Sequence, residues 1–110
     1  MNNKFLLLIF IFLSLKVFSF TFYNPQIVID GIEYKVVTED DLTETEYPFA
    51  SDNFCIRNGW AMSSSSTSSS ALMGPYAILD NNGDVVSTYK SEGNRYRFMV
   101  LDTCRCRNEF

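Results

Sequence analysis

GPYAILDNNGDVVSTYKSEGNRYRFMVLDTC, residues 74–104, is the stretch whose reading decides the fold. Within it, Tyr76-Ala77-Ile78-Leu79 and Val85-Val86-Ser87-Thr88-Tyr89 flank Asp80-Asn81-Asn82-Gly83-Asp84. The flanks are rich in β-branched and aromatic residues. Asn and Gly between them tolerate the positive φ that a hairpin loop demands, so a β-hairpin is predicted over residues 76–89. Ser91-Glu92-Gly93-Asn94 then interrupts, and from Arg95 the chain alternates. Tyr96, Phe98 and Val100 share one face, and Arg95, Arg97, Met99 and Leu101 share the other, which predicts a third antiparallel strand over 95–101, tied off near Cys104.

Upstream, Gln26-Ile27-Val28-Ile29 and Ile32-Glu33-Tyr34-Lys35-Val36-Val37 flank Asp30-Gly31, a pair suited to a type I′ turn. They form either a small hairpin or one strand and a lead-in to a helix. Thr38 is a good N-cap, and Glu39, Asp40 and Asp41 suit the positive end of a helix dipole, so a short helix is expected from Thr38 until Pro48 ends it. Residues 63–70, SSSSTSSS, have no apolar periodicity and read as a flexible connector, unmodified or O-glycosylated. The expected fold is α+β: one short helix packed on an antiparallel sheet.

The chain has 110 residues, enough for one domain. Met1-Asn2-Asn3-Lys4, an apolar run over 5–15 and Val17-Phe18-Ser19 read as a signal peptide over 1–19, leaving 20–110 as the domain. A membrane anchor is the competing reading. Lys16 breaks the apolar run short of the roughly 20 residues a span needs, so no stable membrane span is expected after signal removal. Removing Lys4 and Lys16 lowers the formal charge from −4 to −6. Such an acidic chain is a poor general binder of nucleic acid, since phosphate contacts supply most non-specific affinity. The basic C-terminal strand, with Arg95 and Arg97, is the one candidate patch for RNA.

A mature domain this small gains much from a staple. In an oxidising compartment Cys55, Cys104 and Cys106 yield one bridge and one odd thiol. Cys55 with Cys104 is the expected pair, with Cys106 the alternative partner or the free thiol, and the odd cysteine leaves a covalent dimer open. Two thiols in Cys104-Arg105-Cys106 plus a distant third, with no histidine, make a poor zinc set, so no metal and no cofactor are expected. Asp80 to Asp84 reads as a hairpin loop and not a calcium loop, because its glycine is misplaced and its flanks are strands. The acids from Glu39 to Glu46 read as a solvated face and not as paired glycosidase carboxylates.

The order hairpin, Gly/Asn break, strand ending Phe98-Met99-Val100-Leu101-Asp102-Thr103-Cys104 resembles that of the small fungal guanyl-specific ribonucleases. It resembles more closely the ribonuclease-like secreted effectors of powdery mildew fungi. Thr38-Glu39-Asp40-Asp41-Leu42 lies where that family starts its helix, and Glu46-Tyr47-Pro48-Phe49 where it carries "Y-P-H". The likeness spans residues 27–104 as pattern. It departs in one structural respect: the family pairs its C-terminal cysteine with one near the mature N-terminus, where this chain has none. It also departs in chemistry, since this chain contains no histidine. By position the two catalytic histidines become Phe49 and about Ser91, the arginine falls near Tyr76, and the glutamate would lie in 60–73, where there is no acid. Of the residues placed around the phosphate, Tyr47 remains. Cleavage through a cyclic phosphate needs an acid and a base poised near neutral pH, so the resemblance implies a catalytically dead ribonuclease-like scaffold.

The resemblance further implies a secreted effector, taken up by the host cell, that binds host proteins or, weakly, RNA and interferes with host defence. Its candidate binding surface is Tyr47, Trp60, the loops around Asn53 to Ser70, where the family's active site would lie, and the edge with Arg95 and Arg97. The alternative is a small secreted, disulfide-stapled β-rich binding or inhibitor protein unrelated to ribonucleases.

Overall fold

The structure, a computed structural model, describes residues 18–41, 43–90 and 98–108. The elements in chain order are β1 (Ser19–Tyr23), β2 (Gln26–Ile29), β3 (Ile32–Asp40), β4 (Thr45–Glu46), α1 (Ala50–Arg57), β5 (Met62–Ala71), β6 (Tyr76–Leu79), β7 (Val85–Tyr89) and β8 (Phe98–Arg107). They form a sheet-rich α+β fold with one short helix and one disulfide among the described residues. The strand order runs β1-β8-β3-β6-β7, with β2 and β4 on β3 and β5 on β8.

Two strands organise this sheet. β8 pairs with β5 from end to end, and with β1 over Thr103 to Arg107 and β3 over Phe98 to Val100. β3 gives its first half to β2 and β6 and its second half to β8 and β4. All these pairings are antiparallel except β3 with β6. The Asp30-Gly31 turn is as read: both residues have positive φ, 52° and 81°, and Ile29 faces Ile32 across a two-residue loop. The hairpin over 76–89 is also present, with Tyr76 opposite Tyr89. Its loop is held by Asp80, whose carboxylate accepts from the amides of Asn82 (2.9 Å) and Asp84 (3.0 Å). The third strand does not join that hairpin. β8 lies against β3, and the first residues of the expected strand, Arg95 to Arg97, lie outside the described residues.

At β3, β6 and the first half of β8 the sheet is buried on both faces, and there the period of two sorts the core. Val36, Ala77, Leu79 and Leu101 fall in one cluster with Ala50 and Phe54 of α1 and the three cysteines. Their neighbours Val37, Tyr76, Ile78 and Val100 fall in the other, with Phe98. Adjacent residues on three strands are thus divided between the faces, which is why residues 76–79 read as a continuous apolar run.

The helix is not where the sequence placed it. Thr38 to Asp40 continues β3, in which Glu39 is exposed and Asp40 fully buried, and the helix comes after Pro48, not before it. The β-branched pair Val36-Val37, each taken up by a different face, makes strand the better conformation, and Glu39 and Asp40 follow strand alternation instead of capping a helix. In α1, Ala50, Asn53 and Phe54 have the i, i+3, i+4 spacing of a buried stripe. Asp52 and Arg57 sit at the ends that suit the helix dipole.

Residues 63–70 are likewise not a flexible loop. They form most of the ten-residue strand β5, paired from Met62 opposite Arg107 to Ala71 opposite Phe98 with two register shifts. Serine has little strand preference of its own, so the conformation is imposed by β8 and by anchors at both ends. Asp52 accepts from the Ser63 amide (2.8 Å) and hydroxyl (2.9 Å), and at the far end the Tyr76 hydroxyl donates to the Ala71 carbonyl (3.0 Å).

Candidate binding surface and a cysteine trio

Of the expected site residues, Tyr47 and Trp60 fall within the described residues, and both pack against the core cluster that holds Ala50 and Phe54. Tyr47 is half-buried and packs against both core clusters, its amide donating to the Thr38 carbonyl at 2.8 Å. Trp60, at the end of the turn after α1, stacks on Phe20 (6.4 Å between centroids, 18° between planes), and Phe20 and Phe22 lead inward to Phe54. It is therefore one rung of an aromatic ladder that seats β1 on the core, with Phe20 and Tyr23 exposed beside it. Arg95 and Arg97 lie outside the described residues, as do residues 1–17 of the expected signal peptide. Among the described residues no helix is long and apolar enough to cross a membrane.

Two other basic residues of β8 are turned to neighbouring strands. Arg105 donates to the Ser19 hydroxyl (3.1 Å), and Arg107 contacts the Met62 sulfur (3.5 Å).

The sequence places a candidate surface in loops around Asn53 to Ser70, and the structure makes most of the serine part of it the strand β5. Ser64 to Ser70 are all exposed, and among the described residues β8 is the one strand that pairs with β5, so between the ends engaged by Asp52 and Tyr76 the other backbone edge has no strand partner. Beside it lies a groove of about 270 Å³ lined by Tyr47, Pro48, Ser66, Ser68, Glu39 and Glu46, among others. Glu39 and Glu46 stand opposite one another on β3 and β4, so the groove wall carries two carboxylates at cross-strand distance. Amide, hydroxyl and carboxylate groups are on offer there. A serine run judged by composition looks like a linker, and only its partner strand makes it a surface.

The cysteines depart from the expected pairing. The bridge joins Cys55 to Cys106, with a Cα–Cα distance of 5.4 Å, and Cys104 is the free thiol. Two residues apart on β8, Cys104 and Cys106 face the same side under α1, so spacing alone offers both to Cys55 equally. The loser stays close: Cys104 Sγ lies 3.4 Å from Cys55 Sγ and 4.0 Å from Cys106 Sγ. All three residues are fully buried. Burial, with a smaller contribution from nearby Asp52, pushes the Cys104 thiol up to about 11. A thiol this buried and this reluctant to ionise is a poor candidate for an intermolecular bridge.

Given an ordinary bond of about 2.05 Å between the Cys55 and Cys106 sulfurs, the two separations set Cys104 at roughly 90° to that bond. Thiol–disulfide exchange needs the incoming thiolate along the bond axis, so the third thiol sits beside the bridge without attacking it.

No family model matches this chain, and neither the curated proteins nor the solved structures include a match to it.

Proposed function

We propose that this chain is a secreted, non-catalytic binding protein that acts through a surface and not through a reacting centre. The observation that carries the proposal is β5. Natural proteins blunt long edge strands with charges, proline or cover, and among the described residues the middle of this strand, Ser64 to Ser70 between the contacts of Asp52 with Ser63 and of Tyr76 with Ala71, carries neither a charged residue nor a proline and has β8 as its only strand partner. An open edge of that kind takes an extended segment of another protein as an added strand, main chain to main chain. Glu39 and Glu46, in the groove on the β8 side of β5, add to the acidic balance of a chain with a formal charge of −4, and that balance favours a segment carrying lysine or arginine. The same acidic balance disfavours the phosphates of RNA.

The finer reading makes this protein a ribonuclease-like effector of host defence that has lost catalysis. The absence of histidine and the succession of the Tyr47-Pro48 segment, the Asn-rich hairpin and a last strand through Cys104 support it. The position of α1, after Tyr47-Pro48 instead of before it, weighs toward the alternative, a stapled β-rich binding protein of separate origin.

The test pairs two titrations of the oxidised protein followed by amide NMR. One uses extended peptides with and without basic residues, the other single-stranded and duplex RNA at two salt concentrations. Peptide-induced shifts along 62–71 that need basic residues support the proposal. Steeply salt-dependent RNA binding that is lost in Arg95→Glu with Arg97→Glu would replace it with an RNA-binding pseudoenzyme. RNA cleavage by the purified protein would overturn its non-catalytic character.

A further inference from the structure

The sequence argues against a metal because it sees two thiols and a remote third. The fold removes that objection. Cys55 comes from α1 and Cys104 and Cys106 from one face of β8, and their three sulfurs lie within 4.8 Å of one another in a fully buried position. From this geometry we infer that reduction of the Cys55–Cys106 bridge creates a three-thiolate site for a soft monovalent metal ion, copper(I) above all.

The dimensions suit it. A metal–thiolate bond of about 2.3 Å in a flat three-coordinate arrangement places the sulfurs about 4.0 Å apart. Two of the three separations, 3.4 and 4.0 Å, are already near that value, and the third becomes adjustable when the bridge opens.

The ligand set also selects the metal. Zinc in a closed protein site wants four ligands. The chain has no histidine to offer, and the neighbouring carboxylate of Asp52 is engaged with Ser63. Soft thiolates alone favour copper(I), which is content with three and gains from a site closed to water.

The chemistry balances with a dithiol or phosphine reductant. Two electrons and two protons convert the bridge to two thiols, the reductant being oxidised in turn. Binding of the ion then releases the thiol protons. Oxidised, the trio is a staple; reduced, it is a metal site. This inference is independent of the partner proposed above.

The test is anaerobic titration of the phosphine-reduced full-length domain with copper(I), read by the thiolate-to-copper absorption and by competition with a copper(I) chelator, with far-ultraviolet circular dichroism alongside. The expected result is one ion per chain with folded circular dichroism, whether the metal-free reduced protein is folded or is refolded by the ion. The oxidised protein should bind none. Cys104→Ser keeps the bridge in its oxidised form, which checks its folding, and after reduction should bind more than about 100-fold more weakly, beyond the loss typical of an outer-shell change. Equal binding by Cys104→Ser, equal binding by the oxidised protein, several ions per chain, or a reduced protein that stays unfolded with copper(I) would each overturn the inference. Tighter binding of zinc than of copper(I) under the same competition would overturn the choice of metal.

Discussion

Gly83 lies against the last turn of α1: its carbonyl accepts from Arg57 Nη1 at 2.9 Å, and a Cβ placed on it would stand 2.8 Å from the Arg57 amide nitrogen. Its φ of 83° is one that side chains rarely adopt. The β6–β7 loop is thus docked on the helix through a residue with no side chain. Gly83→Ala is expected to destabilise the fold by about 1–3 kcal/mol, from backbone strain and the forced shift of Arg57 together. Arg57→Ala, which removes the hydrogen bond and the basic residue of the last helical turn but strains no backbone, should cost about 1 kcal/mol. Chemical denaturation of the two variants checks the order; equal losses would mean that the close approach is relaxed at no cost.

The cysteine geometry predicts an asymmetry between two mutations that chain entropy alone treats alike. Removing a bridge with a sequence separation of 51 residues costs about 4 kcal/mol on the chain-entropy model. In Cys106→Ser the Cys104 sulfur is already 3.4 Å from Cys55, so air oxidation should form Cys55–Cys104 and recover most of that stability. In Cys55→Ser the remaining thiols are two apart on one strand, a poor pair for a bridge, and the loss should be full. Thiol counting by mass spectrometry and thermal unfolding test this: no free thiol and a near-native transition for Cys106→Ser, two free thiols and a large drop for Cys55→Ser.

Asp52 ties the start of the serine strand to α1 through the Ser63 amide and hydroxyl. Asp52→Ala leaves those donors without their acceptor and removes an acid from the first helical turn, for a loss of about 1–3 kcal/mol. Hydrogen exchange should localise it. Faster exchange at 62–66 with little change in the β6–β7 hairpin is the expected pattern, and a uniform acceleration would show that β5 is held mainly by β8.

These particular contacts also explain what was legible beforehand. The two hairpins were readable because Asp30-Gly31 and Asp80 to Asp84 are local devices, whose turn chemistry lies within the segments they join. The helix was misplaced because acids after Thr38 satisfy a capping rule that burial of Val37 and Asp40 in β3 overrides. β5 was unreadable in principle: nothing in a run of serines encodes a strand, and the information lies in β8, some thirty residues on. The same holds for the site. Tyr47 came from the resemblance and Trp60 from its residue type, and both pack against the core, with Tyr47 also lining the groove beside β5, while the convergence of three sulfurs required knowing that α1 covers Cys104 and Cys106.

The buried Cys104 thiol predicts a stability loss in alkali. Its folded-state value, near 11, lies above the ordinary thiol range, so the native state holds this proton more tightly than the unfolded chain does. The favourable difference is fully present below about pH 9 and is lost as pH rises through 11, because the unfolded thiol ionises first. The loss across that window is on the order of 2 kcal/mol. Tyr76 and Tyr89, both raised chiefly by burial and Tyr89 also by the neighbouring Asp40 charge, push the same way at higher pH, so the wild-type curve alone does not isolate the cysteine. Cys104→Ala provides the comparison. Denaturation of the oxidised proteins at pH 8, 9.5 and 11 should show the wild type losing stability faster than the variant above pH 9, while iodoacetamide labels the native wild-type thiol only as fast as the protein opens. Parallel curves with rapid labelling would mean that the thiol is accessible and ionises in place.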